Sequence, residues 1–314
     1  MKIAIIGAGA VGSACLTAIL MRGFAREIVV LDRDRKKACG LKTDVQYSAV
    51  WSPTVEMRDG DYTDLAGASL VIITAGVNEL KGGASHRKGP SATLRLLDPN
   101  FQIIRDIISR LDAVAPEAMV LVVTDPPDPL ADAVRMLGHS RVLSTGTYLD
   151  SLRFRFHLAR RFGVNPVSVH AYVLGEDGTT KVFVWSSAHV GGTPVIELLA
   201  PSGQNPDNFC REIEEQVCSA HYSIIEGIGA SQHGIGMISA RIAEIILRDE
   251  RQVVPIGSYN ARYGVTFSLP SIVGKDGARQ VLEPEMSEEE RQALLLSAGT
   301  LEAISARIPI VYGI

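Results

Sequence analysis

The sequence predicts an α/β protein in two parts, a doubly wound parallel sheet over residues 1–144 and an α+β domain over residues 145–314. Three observations predict it. In the first half, short, continuously apolar runs alternate with helical patterns, as a parallel sheet covered on both faces requires. A glycine-rich turn follows the first of those runs. Beyond about residue 144 the pattern changes to paired β-rich runs and longer helices. A chain of 314 residues is long enough to bury two cores.

The first-half strands fall at 3–6, 28–31, 70–74, 119–124 and 142–144. Between them, 11–21 and 101–111 have helical periodicity; in the second, Ile103, Ile104, Ile107, Ile108 and Leu111 share one face. Gly23 and Gly138 stand where helix C-caps are expected. In the second half a helix over 149–162 stops at Gly163, and β runs at 167–174 and 179–186 flank Gly175-Glu176-Asp177-Gly178. The Asp-Gly pair there suggests an antiparallel hairpin with a tight turn. Helices over 208–226 and 235–248 are split by a glycine-rich stretch, and β runs follow at 252–256 and 265–269. The last helix starts at Ser287, with Glu290 completing a capping box.

With 46% hydrophobic and 21% charged residues, the composition is that of a soluble globular protein. A net charge of -4 and the lack of Lys/Arg runs argue against nucleic acid. No apolar run approaches the ~18 residues of a membrane span. The start of the chain lacks the pattern of a secretory signal, so a cytoplasmic location is expected. Cys15, Cys39, Cys210 and Cys218 show no metal spacing and read as reduced, mostly buried thiols.

Gly7-Ala8-Gly9-Ala10-Val11-Gly12 is a G-x-G-x-x-G between a strand and a helix. Gly7 permits the turn, Gly9 lets backbone approach a pyrophosphate, Gly12 allows close packing, and the helix start at Ala10 and Val11 favours negative charge. Asp32 closes the next strand, where a carboxylate binds the ribose hydroxyls and repels a 2′-phosphate, so NAD is favoured over NADP despite Arg33 and Arg35. The first half is therefore expected to be a Rossmann-type NAD-binding domain.

Further segments carry a resemblance. Thr74-Ala75-Gly76, the run from Gly146 to Arg155 containing Leu149-Asp150-Ser151-Leu152-Arg153-Phe154-Arg155, the Val169–Gly178 hairpin and Phe267–Gly277 occur in this order along nearly the whole chain. Together they resemble the lactate/malate dehydrogenase family, the lactate dehydrogenases more closely. The resemblance implies that Thr74, Ala75 and Gly76 line the nicotinamide half of the cofactor, with Asp125 near the nicotinamide ribose, where the family usually has asparagine. Asp150 and Arg153, at i and i+3 on one helix, share a face. By resemblance Arg153 holds a substrate carboxylate and Asp150 orients the catalytic base. Ser231 falls at a pocket position, and relatives form homodimers or homotetramers. His170 and Arg155 match positions that bind a sugar bisphosphate in allosteric bacterial relatives.

Two departures stand out. The family's catalytic histidine falls on Asp177, whose unperturbed side chain titrates near ~4 rather than ~6.5. One reading makes Asp177 a turn residue. The other pairs it with Asp150 in a two-carboxylate centre that shares a proton or holds a cationic nitrogen. The family's mobile loop arginine also has no counterpart in register: Thr93 falls there, behind an insertion at 78–90 that carries His86 and Arg87. Arg87 or Arg95 is the nearest replacement, and His86 reads as a solvated loop residue.

Three functions follow as expectations. The first is an NAD-dependent oxidoreductase acting on a small carboxylate-bearing substrate with altered acid–base chemistry. The second is an imine or amino-acid-type reductase using Asp150 and Asp177. The third is a catalytically impaired NAD-binding regulatory protein.

Overall fold

The computed structural model describes residues 1–51, 55–77 and 91–308. The first half runs β1 (Lys2–Ile6), α1 (Ala10–Arg22), β2 (Glu27–Leu31), α2 (Arg35–Ser48), β3 (Glu56–Asp59), β4 (Leu70–Ile73), α3 (Ser91–Leu111), β5 (Met119–Val122), α4 (Pro127–Met136) and β6 (Val142–Ser144). The second runs α5 (Tyr148–Phe162), β7 (Val169–Leu174), β8 (Val182–Val190), β9 (Thr193–Pro194), α6 (Val195–Leu199), α7 (Pro206–Ile228), α8 (His233–Leu247), β10 (Gln252–Asn260), β11 (Val265–Gly274), β12 (Gly277–Val281) and α9 (Glu288–Ser305).

The continuous apolar strands alternate their side chains between two cores. Ile3, Ile5, Ile28, Val30, Leu70 and Ile72 pack on one face with Leu16 and Ile19 of α1 and Ile238 and Ile242 of α8. Ala4, Ile6, Val29, Leu31, Val71 and Ile73 pack on the other with Phe101, Ile104 and Ile108 of α3 and Val134 of α4. A strand apolar on both sides is what such double burial demands.

The nine-stranded sheet has the order β12-β11-β10-β6-β5-β4-β1-β2-β3. Strands β6, β5, β4, β1, β2 and β3 are parallel, the doubly wound order whose switch point lies between β1 and β4. The antiparallel β10–β12 extend this sheet, with Gly257 facing Ser144 across the β10–β6 pairing. Strands on either side of residue 144 thus share one sheet. Helix α8 reinforces this: a Cβ on Gly236 would fall 2.6 Å from Ala14 Cβ on α1.

β3 was not predicted, for a physical reason. Its Glu-Met-Arg-Asp sequence lies at the sheet edge, where polar side chains are tolerated, and Arg58 pairs there with Glu27 at 2.7 Å. The 175–186 region also departs from expectation. β7 and β8 do pair antiparallel, with Leu174 opposite Val182. Their connection spans 175–181, however, and only Gly175 in it has positive φ, so Asp177-Gly178 is not the two-residue turn, which needs positive φ at one or both positions. The cysteines are free as predicted, but Cys39 is exposed rather than buried.

Candidate active site

Two clusters of predicted residues lie at the ends of these elements. The first surrounds the glycine loop at the switch point. Gly7 has φ +116°, and a Cβ on it would fall 2.7 Å from the backbone nitrogen of Ala75. A Cβ on Gly12 would lie 1.8 Å from the Gly7 carbonyl oxygen, whereas no described residue lies within 4 Å of the corresponding position on Gly9. Gly7 and Gly12 are therefore demanded by packing, and Gly9 by none of the described residues. Asp32 lies beside the loop, its Oδ2 accepting from the Ala8 N–H at 2.8 Å and its Oδ1 from the Asp34 N–H at 2.8 Å. Thr74 Oγ1 donates to the Gly7 carbonyl at 3.0 Å.

Asn100 on α3 ties the neighbouring loops together. Its Oδ1 accepts from the Val77 N–H at 2.8 Å and its Nδ2 donates to the Asp125 carbonyl at 2.6 Å. The segment from Thr74 to Gly76 is thereby held beside Asp125.

The second cluster is charged. Asp150 heads the buried face of α5, four residues before Phe154 and eight before Leu158. Ser151 stitches this helix to β7, donating through Oγ to the Val173 carbonyl at 3.1 Å and accepting from the Val173 N–H at 2.9 Å. Arg153 Nη1 donates to Asp150 Oδ1 at 2.8 Å. Asp177 enters from the β7–β8 connection, positioned by its own N–H, which donates to Asp128 Oδ2 at 3.1 Å. Asp128 is fully buried against the Ser144 hydroxyl. Asp150, Arg153 and Asp177 are thus brought together, as expected.

What stands between the carboxyls was not expected. Lys181 forms a close ion pair with Asp150 Oδ2, and its Nζ lies 3.6 Å from Asp177 Oδ1. The two acids face one another across an ammonium, so the cationic nitrogen assigned to a substrate is supplied by the chain itself. Lys181 immediately precedes β8 and shares a side with Phe183 and Trp185, whose rings pack on Phe154 of α5 at 5.3 and 4.7 Å. Strand alternation therefore aims it at α5. That signal was available in the sequence: a lysine at an inward position of an apolar run.

The charges settle unequally. Burial raises Asp150, but Lys181 and Arg153 outweigh it and hold the carboxyl below its ordinary value. Burial pushes Asp177 up to about 7, with Asp150 and Asp125 adding to the rise against the pull of Lys181 and Arg153. The Asp177 side chain keeps 32% of its surface open. It also borders a cavity of about 640 Å³ whose wall includes Asp128, Thr179, Leu295, Leu296 and Thr300. Burial alone would lower Lys181, but Asp150 and Asp177 outweigh it and hold the side chain above its ordinary value, so it stays an ammonium. His221 on α7 completes the surroundings: burial, then Lys181 and Arg153, push it down to about 4, so it is neutral at neutral pH.

Ser231 lies half-buried in the break between α7 and α8, and His233 is exposed at the start of α8. Arg95 is exposed on α3. Arg87 and His86 lie outside the described residues.

Comparison with known proteins agrees with this arrangement. Residues 1–142 match the family description "lactate/malate dehydrogenase, NAD binding domain", and 147–308 match "lactate/malate dehydrogenase, alpha/beta C-terminal domain". The chain belongs to the lactate/malate dehydrogenase family. An L-lactate dehydrogenase of Thermus aquaticus is 40% identical over 317 residues, covering 98% of this chain and 99% of that one. An L-lactate dehydrogenase of Chloroherpeton thalassium is 39% identical over 311 residues, with the same coverage. Among solved structures, a minor L-lactate dehydrogenase from Enterococcus mundtii in a ligand-bound form superposes with a TM-score of 0.90 at 32% identity, covering 98% of each chain.

As a member of this NAD-dependent dehydrogenase family, the chain uses NAD, and its first cluster fits that cofactor. The open side of Gly9 at the start of α1 is where a pyrophosphate would be accepted. Asp32, ending β2, presents a carboxylate suited to ribose hydroxyls. Bound there, the dinucleotide supplies or accepts hydride through its nicotinamide ring. Substitutions separate the two glycine roles. Gly9→Ala should keep the thermal midpoint within about 2 °C but weaken NADH binding at least roughly tenfold, because its methyl group meets only ligand. Gly12→Ala should lower both. Fluorescence titration with NADH and thermal melts of the two variants check this; normal NADH affinity in Gly9→Ala would contradict it.

Proposed function

We propose that this dehydrogenase interconverts a small 2-hydroxy carboxylate and its 2-oxo counterpart, with Asp177 in place of imidazole as the group that exchanges the proton. The observation that carries the reading is the convergence of Arg153, Asp150 and Asp177 in one charged cluster around Lys181, with Asp177 partly open and raised to about 7. A proton-exchanging group works best when its pKa lies near the working pH. An unperturbed aspartate would fail that test; this environment supplies the correction.

In the reductive direction Arg153 presents its guanidinium to the substrate carboxylate, since one of its nitrogens serves Asp150 and the fork has others to offer. Protonated Asp177 hydrogen-bonds the carbonyl oxygen and gives up its proton as hydride arrives at carbon. A C–H and an O–H bond form, the C=O π bond breaks, and Asp177 is left as carboxylate. Oxidation reverses each step.

Lys181 supports a neutral carbonyl over an iminium, because an ammonium already neutralises the acid pair that would hold cationic nitrogen. The further proposals are a homodimer or homotetramer and a cytoplasmic location. No helix among the described residues is long and apolar enough to cross a membrane.

The test is NADH oxidation by the purified protein with a panel of 2-oxo carboxylates, alongside imines and matched ketones without the carboxylate. Turnover confined to the oxo carboxylates is expected. Turnover of imines alone would replace this reading with a reductase of C=N bonds. Tight NADH binding without any turnover would leave a regulatory dinucleotide-binding protein.

A further inference from the structure

Lys181 has no place in the functions read from the sequence, yet it is the side chain through which the two acids communicate. Its position is built rather than incidental. The strand that follows it is anchored by Phe183 and Trp185 on Phe154, and Trp185 is held by Glu214 of α7, its Nε1 donating at 2.7 Å. The Lys181 side chain is only 12% exposed. A lysine so enclosed is costly unless paired, and its partners are the buried Asp150 and the partly open Asp177.

We propose that Lys181 is a positioning residue that assigns the proton between the two acids, locking Asp150 as a permanent carboxylate and leaving Asp177 as the one that exchanges with substrate. The geometry is unequal in the way this requires. Asp150 receives the close contact from Lys181 and a hydrogen bond from Arg153, with 4% of its side chain exposed. Asp177 lies farther from the ammonium, at 3.6 Å, and faces the cavity.

The groups facing this centre are few among the described residues. Asp150 and Arg153 come from α5, Asp177 from the β7–β8 connection, Cys218 and His221 from α7, and Asp125 and Asp128 from the segment after β5. Cys218 stays a thiol, since burial raises it, and His221 is neutral. Lys181 and Arg153 are therefore the fixed cations of the centre, and Arg153 is also required by the substrate. Removing Lys181 leaves the paired carboxyls facing each other with less compensation, and like charges in one site raise the apparent value at which the first proton is lost.

This inference rests on Asp177 being the proton-exchanging group. The experiment is the pH profile of kcat/KM for 2-oxo carboxylate reduction in the wild type and in Lys181→Met, Lys181→Gln and Lys181→Arg. The wild-type profile should fall through a midpoint at about 7. That midpoint should rise by about one unit in the Met and Gln variants and stay in place in the Arg variant, which restores a cation. NADH affinity, which rests on the glycine loop and Asp32 rather than on Lys181, should be unchanged in all three.

A residue needed only for packing would lower the rate without moving the midpoint. An unmoved midpoint in a folded Met or Gln variant therefore overturns the proposal, as does an Arg variant whose midpoint rises with theirs. A wild-type profile with no falling limb, or one whose limb survives in Asp177→Asn, would instead remove the acid–base reading on which the proposal stands.

Discussion

Asp177→Asn should lower the rate of 2-oxo carboxylate reduction by about 10²- to 10⁴-fold, the usual cost of removing a general acid–base group. The amide keeps the size of the side chain but neither gives nor takes the proton. The fold should survive, because the contact that positions this residue is its backbone N–H on Asp128, at 3.1 Å, which the substitution leaves intact. Loss of the 3.6 Å contact with Lys181 leaves that ammonium on Asp150, its closer partner. NADH binding should be unchanged, so the loss lies in kcat. Stopped-flow single turnovers with saturating NADH check this directly. A rate within threefold of wild type, by the same general range, would mean that another group carries the proton.

Arg153 is expected to show a loss of similar size in a different parameter. A guanidinium–carboxylate fork contributes two charge-assisted hydrogen bonds, and at about 1.5–3 kcal/mol each their removal corresponds to roughly 10²- to 10⁴-fold in kcat/KM. Arg153→Ala should therefore raise KM for the oxo carboxylate until saturation is out of reach. Arg153→Lys should recover only part, because an ammonium is a point charge without the planar fork. The 2.8 Å bond from Arg153 to Asp150 complicates the Ala variant, which also removes one of the cations that keep Asp150 ionised. The comparison that isolates substrate binding is between the oxo acid and a ketone lacking the carboxylate. Arg153→Ala should cost the acid far more of its kcat/KM than it costs the ketone's residual turnover; an equal loss for both substrates would place Arg153 outside the binding fork.

The residues that were readable from sequence are those whose physics is local. Continuous apolar runs such as Leu70–Ile73 specify a strand buried on both faces, and Gly7 and Gly12 are required by a turn and a helix start within a few residues of each other. Asp150 and Arg153 lie on one helix, so periodicity alone placed them together. The residues that escaped depend on contacts distant in the chain. Asn100 joins two loops through Val77 and Asp125, 23 and 25 positions away. Asp128 seats the backbone of Asp177 from 49 positions away. Lys181 meets Asp150 from 31 positions away, and only the side on which it leaves the start of β8 hinted at that meeting. The tight Asp-Gly turn failed for a related reason: the pairing of Gly175 with Ser268 of β11 takes the chain onto a neighbouring strand before the hairpin closes.

In the proposed reaction a carboxyl raised into the neutral range does the work of an imidazole. The most direct measurement follows kcat/KM in both directions against pH on the unaltered enzyme. Reduction needs Asp177 protonated and should decline as pH rises through about 7, while oxidation needs the carboxylate and should climb through the same midpoint. Two flat profiles across that interval, or limbs that centre near the ordinary carboxylate value of about 4, would contradict the account.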